Sequence, residues 1–200
     1  MMKMVLATRN KGKIREIREI LKDAPVEVLT LEDFPALTLP PEDGATFEEN
    51  ALKKARFVAR ETGLAALADD SGLEVEGLQG RPGVRSARYA GPSATDEDNV
   101  EKLLKELEGR GPDERSARFR CSAAFADPAG GEAVFEGTLE GVITEGPRGA
   151  SGFGYDPVFL LPDKGKTAAE LTMAEKNSLS HRGRAVRRFM EWIQRRKVRG

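Results

Sequence analysis

The predicted fold is built around Leu64-Ala65-Ala66-Leu67-Ala68-Asp69-Asp70-Ser71-Gly72, where an apolar run leads directly into two carboxylates, a hydroxyl and a glycine. The run predicts a short buried strand that ends at the acids. Magnesium takes oxygen ligands, usually one or two carboxylates together with waters and substrate phosphates. A solvated turn capped by an aspartate is the alternative interpretation of these residues taken alone. The surrounding sequence has to distinguish a cation site from a turn.

Composition limits the class of protein. With 200 residues, 32% of them charged and 39% hydrophobic, the chain is predicted to be a soluble globular protein of one domain or two closely packed lobes. The net charge of -1 gives no overall attraction to nucleic acid or to an anionic membrane. We predict a cytoplasmic protein, because the sequence contains neither a signal peptide nor an apolar run near the roughly 20 residues that span a bilayer. The Lys and Arg residues between positions 182 and 199 are interpreted as a solvated helix face.

A polar loop follows the first predicted strand. The strand covers Met4–Ala7, the loop covers Thr8–Lys13, and apolar residues recur at helical spacing from Ile14 to Leu21, with Glu16 on the outer face. Open α/β sheets bind ligands at this junction of strand end and helix start. Backbone N–H groups at a helix N-terminus suit phosphate, but simple capping of the helix explains the same residues.

An acidic, proline-rich loop at 37–44 precedes the next predicted helix. Thr46 and Glu49 form a capping-box pattern at its start, and the helix is predicted to run to about Glu61. Glu49 and Lys53 are four residues apart and share a helix face. They are either an ordinary ion pair or a carboxylate for metal beside a lysine for phosphate.

The middle of the chain indicates the sheet type. Alternating residues predict a hairpin from about Arg118 to Leu139 around the turn Asp127–Gly131, which we assign to one lobe. A helix at 96–107 is predicted to have no chemical role. The predicted fold class is therefore α/β, with a mixed, elongated central sheet flanked by helices and an active-site cleft between two lobes.

A glycine-rich segment at 149–159 carries two aromatic residues, Phe153 and Tyr155, with Asp156 beside them. An aromatic ring in such a loop is usually a core residue, yet glycine neighbours leave the ring face accessible to a planar partner such as a base. Asp156 could then accept hydrogen bonds from the edge of that base. His181, the only histidine in the sequence, is interpreted as structural rather than catalytic on its own evidence.

Together these segments resemble the inosine triphosphate pyrophosphatase family, through four blocks in family order that span the chain. The blocks are Leu6–Lys13, Gly44–Ala51, Ala68–Gly72 continuing to Ser86–Gly91, and Ser151–Pro157 with Lys176 and Ser180–Arg182. No motif position departs from the family pattern. The resemblance implies a single domain of this type over residues 1–200, with two lobes.

The resemblance also implies a role for each matched residue. Asp70 would be the base that activates water and a Mg²⁺ ligand, with Glu42 and Glu49 as further ligands and Asp69 in support. The residues implied to bind the triphosphate are Thr8, Arg9, Asn10, Lys11, Gly12, Lys13 and Lys53, while Ser71 would touch the substrate. The residues implied to bind the purine are Phe153, Gly154, Tyr155, Asp156, Lys176, His181 and Arg182.

The activity implied is Mg²⁺-dependent hydrolysis of noncanonical purine nucleoside triphosphates, namely ITP, dITP and XTP, to the monophosphate and pyrophosphate by a homodimer. Two other functions stay open from the residues. The first is a purine nucleotide sensor that uses the same pocket without turnover. The second, binding of nucleic acid by the basic C-terminal helix, is disfavoured by the near-zero net charge.

Overall fold

The computed structural model of the protein describes residues 2–198, with side chains described as far as residue 196. Arg199 and the side chain of Lys197, both in the predicted basic group, lie outside the described residues. The strands are β1 Met2–Leu6, β2 Val26–Thr30, β3 Ala65–Val75, β4 Ser116–Ala126, β5 Glu132–Ile143, β6 Phe159–Leu161 and β7 Lys166–Thr167. The α-helices are α1 Lys11–Leu21, α2 Phe47–Thr62, α3 Asp96–Glu106, α4 Met173–Leu179 and α5 His181–Val198.

The described strands form one mixed sheet in the order β2-β1-β3-β4-β5-β6-β7. β1 is parallel to both β2 and β3, whereas β6 is antiparallel to β5 and β7. The neighbours β4 and β5 are joined by a five-residue connection, which is too short for a parallel crossover. The predicted hairpin and the predicted mixed α/β sheet are both confirmed.

Strand β3 differs from its prediction. It does not end at the acids but continues through Asp69, Asp70, Ser71 and Gly72 to Val75. Leu73 and Val75 keep the alternating pattern beyond Gly72 and are fully buried, so the apolar periodicity extends the strand past the polar residues. The paired acids therefore lie inside a strand.

The chain divides into two compact units. The first contains the described residues up to Asp70, together with 121–137 and 181–198; the second contains 71–120 and 138–180. The assignment of the hairpin to one lobe is wrong, because β4 and β5 each contribute residues to both units. The predicted cleft between two lobes stays a prediction.

In the first unit, the two faces of β3 pack against different helices. Ala65 and Leu67 join an apolar cluster with residues of α1 and α5, whereas Ala66 and Ala68 join a cluster with residues of α2. Successive side chains in a strand point to opposite faces of the sheet, which produces this alternation. The helix face that α2 buries includes Ala51 as well as two polar residues described below.

The second unit has its own core, which surrounds the Phe119–Phe159 ring pair at 4.3 Å between centroids. Leu103 and Leu107 cover part of this core at the end of α3. Helix α3 begins with a complete capping box between Thr95 and Asp98. Within residues 2–198, each helix is either too short or too polar to cross a membrane.

Candidate active site

Asp69 is surrounded by cations on the face of β3 that packs on α1 and α5. Its side chain is 1% exposed, and its Oδ2 lies 3.1 Å from both Lys13 Nζ and Arg182 Nε. Burial favours the neutral acid, but the charges of Lys13, Arg182 and Lys54 outweigh it and hold the pKa of Asp69 below its ordinary value. Asp69 therefore stays ionised, and its carboxylate links β3 to Lys13 of α1 and to Arg182 of α5.

Arg182 is buried between two carboxylates, with its Nε donating to Asp69 and its Nη1 to Glu16. Both Arg182 and Glu16 have side chains only 2% exposed. The placement of Glu16 on the outer face of α1 was wrong, because a buried guanidinium needs a carboxylate partner. Two nitrogens of the guanidinium donate to Asp69 and Glu16, and the implied contact of Arg182 with a base stays a prediction.

Asp70 lies on the other face of β3, against α2. Asn50 Nδ2 donates a hydrogen bond of 2.9 Å to Asp70 Oδ2, and Lys54 Nζ donates one of 2.8 Å to the Asp69 carbonyl oxygen. Burial raises the pKa of Asp70, and Glu42 adds to the rise, while Lys13, Lys54 and Asn50 oppose it. A carboxylate with a raised pKa is a better proton acceptor than an ordinary aspartate.

Lys54 and Asn50 are polar residues of this cluster that the sequence analysis missed. Both are buried in α2, and Lys54 also forms an ion pair with Glu42. Their spacing contained the signal, since positions 50 and 54 share a helix face with the apolar residues Phe47 and Ala51, which α2 buries. A lysine at a core position of a helix is a candidate for a functional charge.

The predicted Glu49–Lys53 pair does not form as expected. Glu49 Oε2 accepts a hydrogen bond of 2.7 Å from Ala45 N at the start of α2, and Lys53 pairs with Asp43. Glu49 is exposed, and its carboxylate stabilises the helix N-terminus through this hydrogen bond. The lysine of α2 that lies near the paired acids is Lys54, and the implied role of Lys53 in binding the triphosphate stays a prediction.

The carboxylates of Glu42 and Asp70 are candidates for a metal site. Among the described residues no group of three His, Cys, Asp or Glu side chains could hold a metal, and the implied ligand set Glu42, Glu49 and Asp70 stays a prediction. Glu42 and Asp70 are close enough for the charge of Glu42 to raise the pKa of Asp70. Two carboxylates completed by substrate phosphates and waters suit Mg²⁺, and this donor set therefore fits it.

The loop after β1 begins beside the acids, because Ala7 N donates to the Leu67 carbonyl oxygen at 2.9 Å. Asn10 Oδ1 caps α1 by accepting from Lys13 N at 3.0 Å, and Thr8 Oγ1 accepts from Asn10 N at 3.2 Å.

Arg9 Nη2 donates to a carbonyl oxygen of the acidic loop at 2.7 Å. Lys11 is exposed and Gly12 is buried in the first turn of α1. Capping is thus present, and Lys13 extends from the capped turn to Asp69.

In the second unit, residues 149–156 form the glycine loop, which presents Phe153. The ring is half-buried, and Lys176 Nζ lies 4.8 Å from its centroid. Asp156 is buried, accepts a hydrogen bond of 2.9 Å from Phe153 N and forms an ion pair with Lys176. The loop therefore combines an aromatic face with an ammonium group.

Two residues of the glycine loop maintain its shape instead of facing outward. Tyr155 is buried and its hydroxyl donates to the Ser86 carbonyl oxygen at 2.9 Å, and its implied substrate contact stays a prediction. Asp156 holds Phe153 and Lys176, so its implied contact with the edge of a base stays a prediction. Gly152, with φ of 82°, is required here because a Cβ would lie 2.1 Å from Asp156 Oδ2.

The remaining predicted residues take ordinary positions. Ser71 is half-buried in β3, directly after Asp70. His181 is buried at the first position of α5. The structure thus brings Lys13, Glu42, Asp69 and Asp70 into one cluster in the first unit, and Phe153, Asp156 and Lys176 into another in the second.

Known proteins resemble the chain over nearly its whole length. A protein of Geobacter sulfurreducens named dITP/XTP pyrophosphatase is 57% identical over 186 residues, which cover 93% of this chain and 94% of that protein. The solved HAM1 protein of Coxiella burnetii is 42% identical with a TM-score of 0.88, covering 98% of this chain and 100% of that one. A nucleoside-triphosphatase or dITP/XTP pyrophosphatase of Mycobacterium abscessus is 44% identical with a TM-score of 0.75, covering 94% and 97%. The Ham1 family model matches residues 4–192, which confirms the predicted relationship, and the chain belongs to the Ham1 family.

Proposed function

We propose that this chain hydrolyses the noncanonical purine triphosphates ITP, dITP and XTP to the nucleoside monophosphate and pyrophosphate. The observation that carries the proposal is the clustering of buried Asp70 with Glu42 and Lys54, beside Lys13 at the N-terminus of α1. The relatives named dITP/XTP pyrophosphatase support hydrolysis of these nucleotides.

Within the first unit, each group has a definable task. Asp70 accepts the proton of the attacking water, because burial raises its pKa and makes the carboxylate a stronger base. Lys13 and the N-terminal N–H groups of α1 attract phosphate oxygens. Lys54 fixes Glu42 through their ion pair. A Mg²⁺ ion held by Glu42 and Asp70 would supply neutralisation of phosphate charge.

Within the second unit, Phe153 and Lys176 are suited to a 6-oxopurine. The Phe153 ring offers a face for stacking, and the Lys176 ammonium beside it can donate to a 6-oxo oxygen. An ammonium carries three donors, so its ion pair with Asp156 is compatible with that donation. The 6-amino group of adenine would leave the donor unmatched, which costs about 1–3 kcal/mol when the group is buried. This difference favours ITP over ATP.

The test is a panel of triphosphates in Mg²⁺ with pyrophosphate and monophosphate measured separately. We expect turnover of ITP, dITP and XTP and at least tenfold slower turnover of ATP, the factor for about 1.4 kcal/mol. Equal rates for ATP and ITP would contradict the proposed selectivity. Orthophosphate with a diphosphate product would contradict the reaction.

The same panel separates an enzyme from a nucleotide sensor, which would bind ITP and release no product in either Mg²⁺ or Mn²⁺. Chelation by EDTA should abolish turnover, and added Mg²⁺ should restore it. We further propose a cytoplasmic homodimer, as the family resemblance implies. Light scattering coupled to size-exclusion chromatography tests the dimer, which a single-chain mass near 21.8 kDa would contradict.

A further inference from the structure

A carboxylate outside the two clusters holds the glycine loop in place. Asp96 is the first residue of α3, and its Oδ2 accepts a hydrogen bond of 2.7 Å from Gly154 N. The two residues are 58 positions apart and belong to the same compact unit. Gly154, with φ of 60°, directly follows Phe153, so the contact fixes the backbone beside the aromatic ring.

The Asp96 carboxylate is not needed to cap its own helix. Thr95 is the N-cap of α3, and Asp98 completes the capping box by accepting from Thr95 N at 2.8 Å. Asp96 is nevertheless directed at the loop, and a hydrogen bond between a carboxylate and a backbone N–H is stronger than a neutral one. The Asp96 carboxylate therefore holds the backbone of the glycine loop, a role that is separate from the stability of α3.

Two further contacts hold the glycine loop beside Gly154. Tyr155, the residue after Gly154, donates its hydroxyl to the Ser86 carbonyl oxygen within the same unit. Asp156 accepts from Phe153 N on the other side of the turn. Three successive residues, Gly154, Tyr155 and Asp156, each contribute one of these contacts, and of the three only the contact of Gly154 reaches α3.

We propose that Asp96 is a positioning residue for purine recognition, which sets the Phe153 ring for stacking by holding Gly154 N. This inference rests on the proposed function, in which Phe153 receives the base. Asp96 does not touch the substrate in this proposal. Its loss should loosen the base-binding loop and leave the phosphate-binding residues of the first unit unchanged.

The test compares Asp96→Ala with Asp96→Asn, since the asparagine keeps an acceptor oxygen at the same place. Loss of one exposed, charge-assisted hydrogen bond should raise KM for ITP by about three- to tenfold in the alanine variant. The kcat should stay within about twofold of the wild-type value, because the lost contact stabilises the bound substrate and the transition state equally. The asparagine variant should recover a KM within about twofold of the wild type.

Two controls isolate the loop contact from helix and charge effects. Glu97→Ala removes an exposed acid from the same turn, and Asp98→Ala removes the capping box. We expect Asp98→Ala to lower Tm without raising KM and Glu97→Ala to change neither. Inorganic tripolyphosphate, a competitor without a base, should inhibit the wild type and Asp96→Ala with the same Ki.

The outcomes separate the two proposals. A wild-type protein that releases no pyrophosphate from ITP contradicts the proposed function and this inference with it. An active wild type with an unchanged KM in Asp96→Ala contradicts this inference alone. An equal rise in KM for Asp98→Ala, or a weaker Ki for tripolyphosphate in Asp96→Ala, also overturns it, because either result indicates a general loss of structure.

Discussion

The carboxylates of Asp69 and Asp70 lie on opposite faces of β3, although the two residues are neighbours in sequence. Asp69 contacts Arg182 of α5 and Lys13 of α1, whereas Asp70 accepts from Asn50 of α2. The pKa of Asp69 is lowered and that of Asp70 is raised. The alternation of a strand thus gives one acid a structural environment and the other an environment suited to a base.

We predict that Asp70→Asn abolishes turnover without destabilising the protein. Removal of a general base lowers kcat by about 10²- to 10⁴-fold. Burial raises the pKa of Asp70, so its ionised form costs stability that the neutral amide does not. The measurements are pyrophosphate release from ITP and thermal unfolding. Retained activity, or a Tm well below that of the wild type, would contradict the assignment.

We predict the opposite pattern for the stability of Asp69→Asn. The amide removes one of the two carboxylates that contact the buried Arg182, and the carboxylate that contacts Lys13. Breaking a buried ion pair from one side costs about 3–5 kcal/mol in free energy of unfolding. Urea titration measures the loss, with Asp43→Asn as a control, because the Asp43–Lys53 pair is exposed and contributes little to stability. Equal losses in the two variants would disprove the distinction.

The same carboxylate predicts a pH dependence of stability. The pKa of Asp69 is lower in the folded protein than the value of about 3.9 in an unfolded chain, so its contribution is complete above that value. As the pH falls below about 4, the contribution is lost progressively toward the folded pKa. The stability difference between the wild type and Asp69→Asn should therefore be constant from pH 7 to pH 5 and shrink below pH 4. A difference that stays constant down to pH 2.5 would show that another interaction is responsible.

Local patterns in the sequence identified most of the elements. Helical spacing and the Thr46 capping box predicted α2, whose observed start and end agree within one residue of the prediction. Alternation predicted the hairpin, although β4 is buried on both faces over residues 121–126. Helical spacing, capping and alternation involve residues that are close together in sequence, so the sequence alone is enough to predict them.

Pairings between distant residues could not be predicted in this way. Glu16 looked like an exposed helix residue, and its partner Arg182 is 166 positions away. The contact of Asp96 with Gly154 likewise depends on how α3 and the glycine loop are placed in the folded unit. A sequence pattern shows which face of an element is buried, but it does not show which polar residue a distant element brings to that face.

A glycine of β5 gives the last example of such a contact. Gly137 interrupts an otherwise alternating strand, and a Cβ at that position would lie 2.0 Å from the His181 carbonyl oxygen and 2.9 Å from Ala185 N. Both contacts are with backbone atoms at the start of α5, which cannot rotate away. Glycine is therefore required where this strand meets the helix that carries Arg182.

We predict that Gly137→Ala destabilises the protein by about 1–3 kcal/mol, the usual cost of forcing a methyl group into a packed interior. Gly111→Ala is the matched control, because a Cβ there meets no atom within 4 Å and the residue is exposed. Because it restricts the unfolded chain, the control should leave the free energy of unfolding unchanged or raise it by up to about 1 kcal/mol. Urea unfolding of both variants and the wild type measures these differences in the free energy of unfolding. If Gly137→Ala unfolds at the wild-type midpoint, α5 can move away from β5, and the close packing that positions Arg182 beside Asp69 is not rigid.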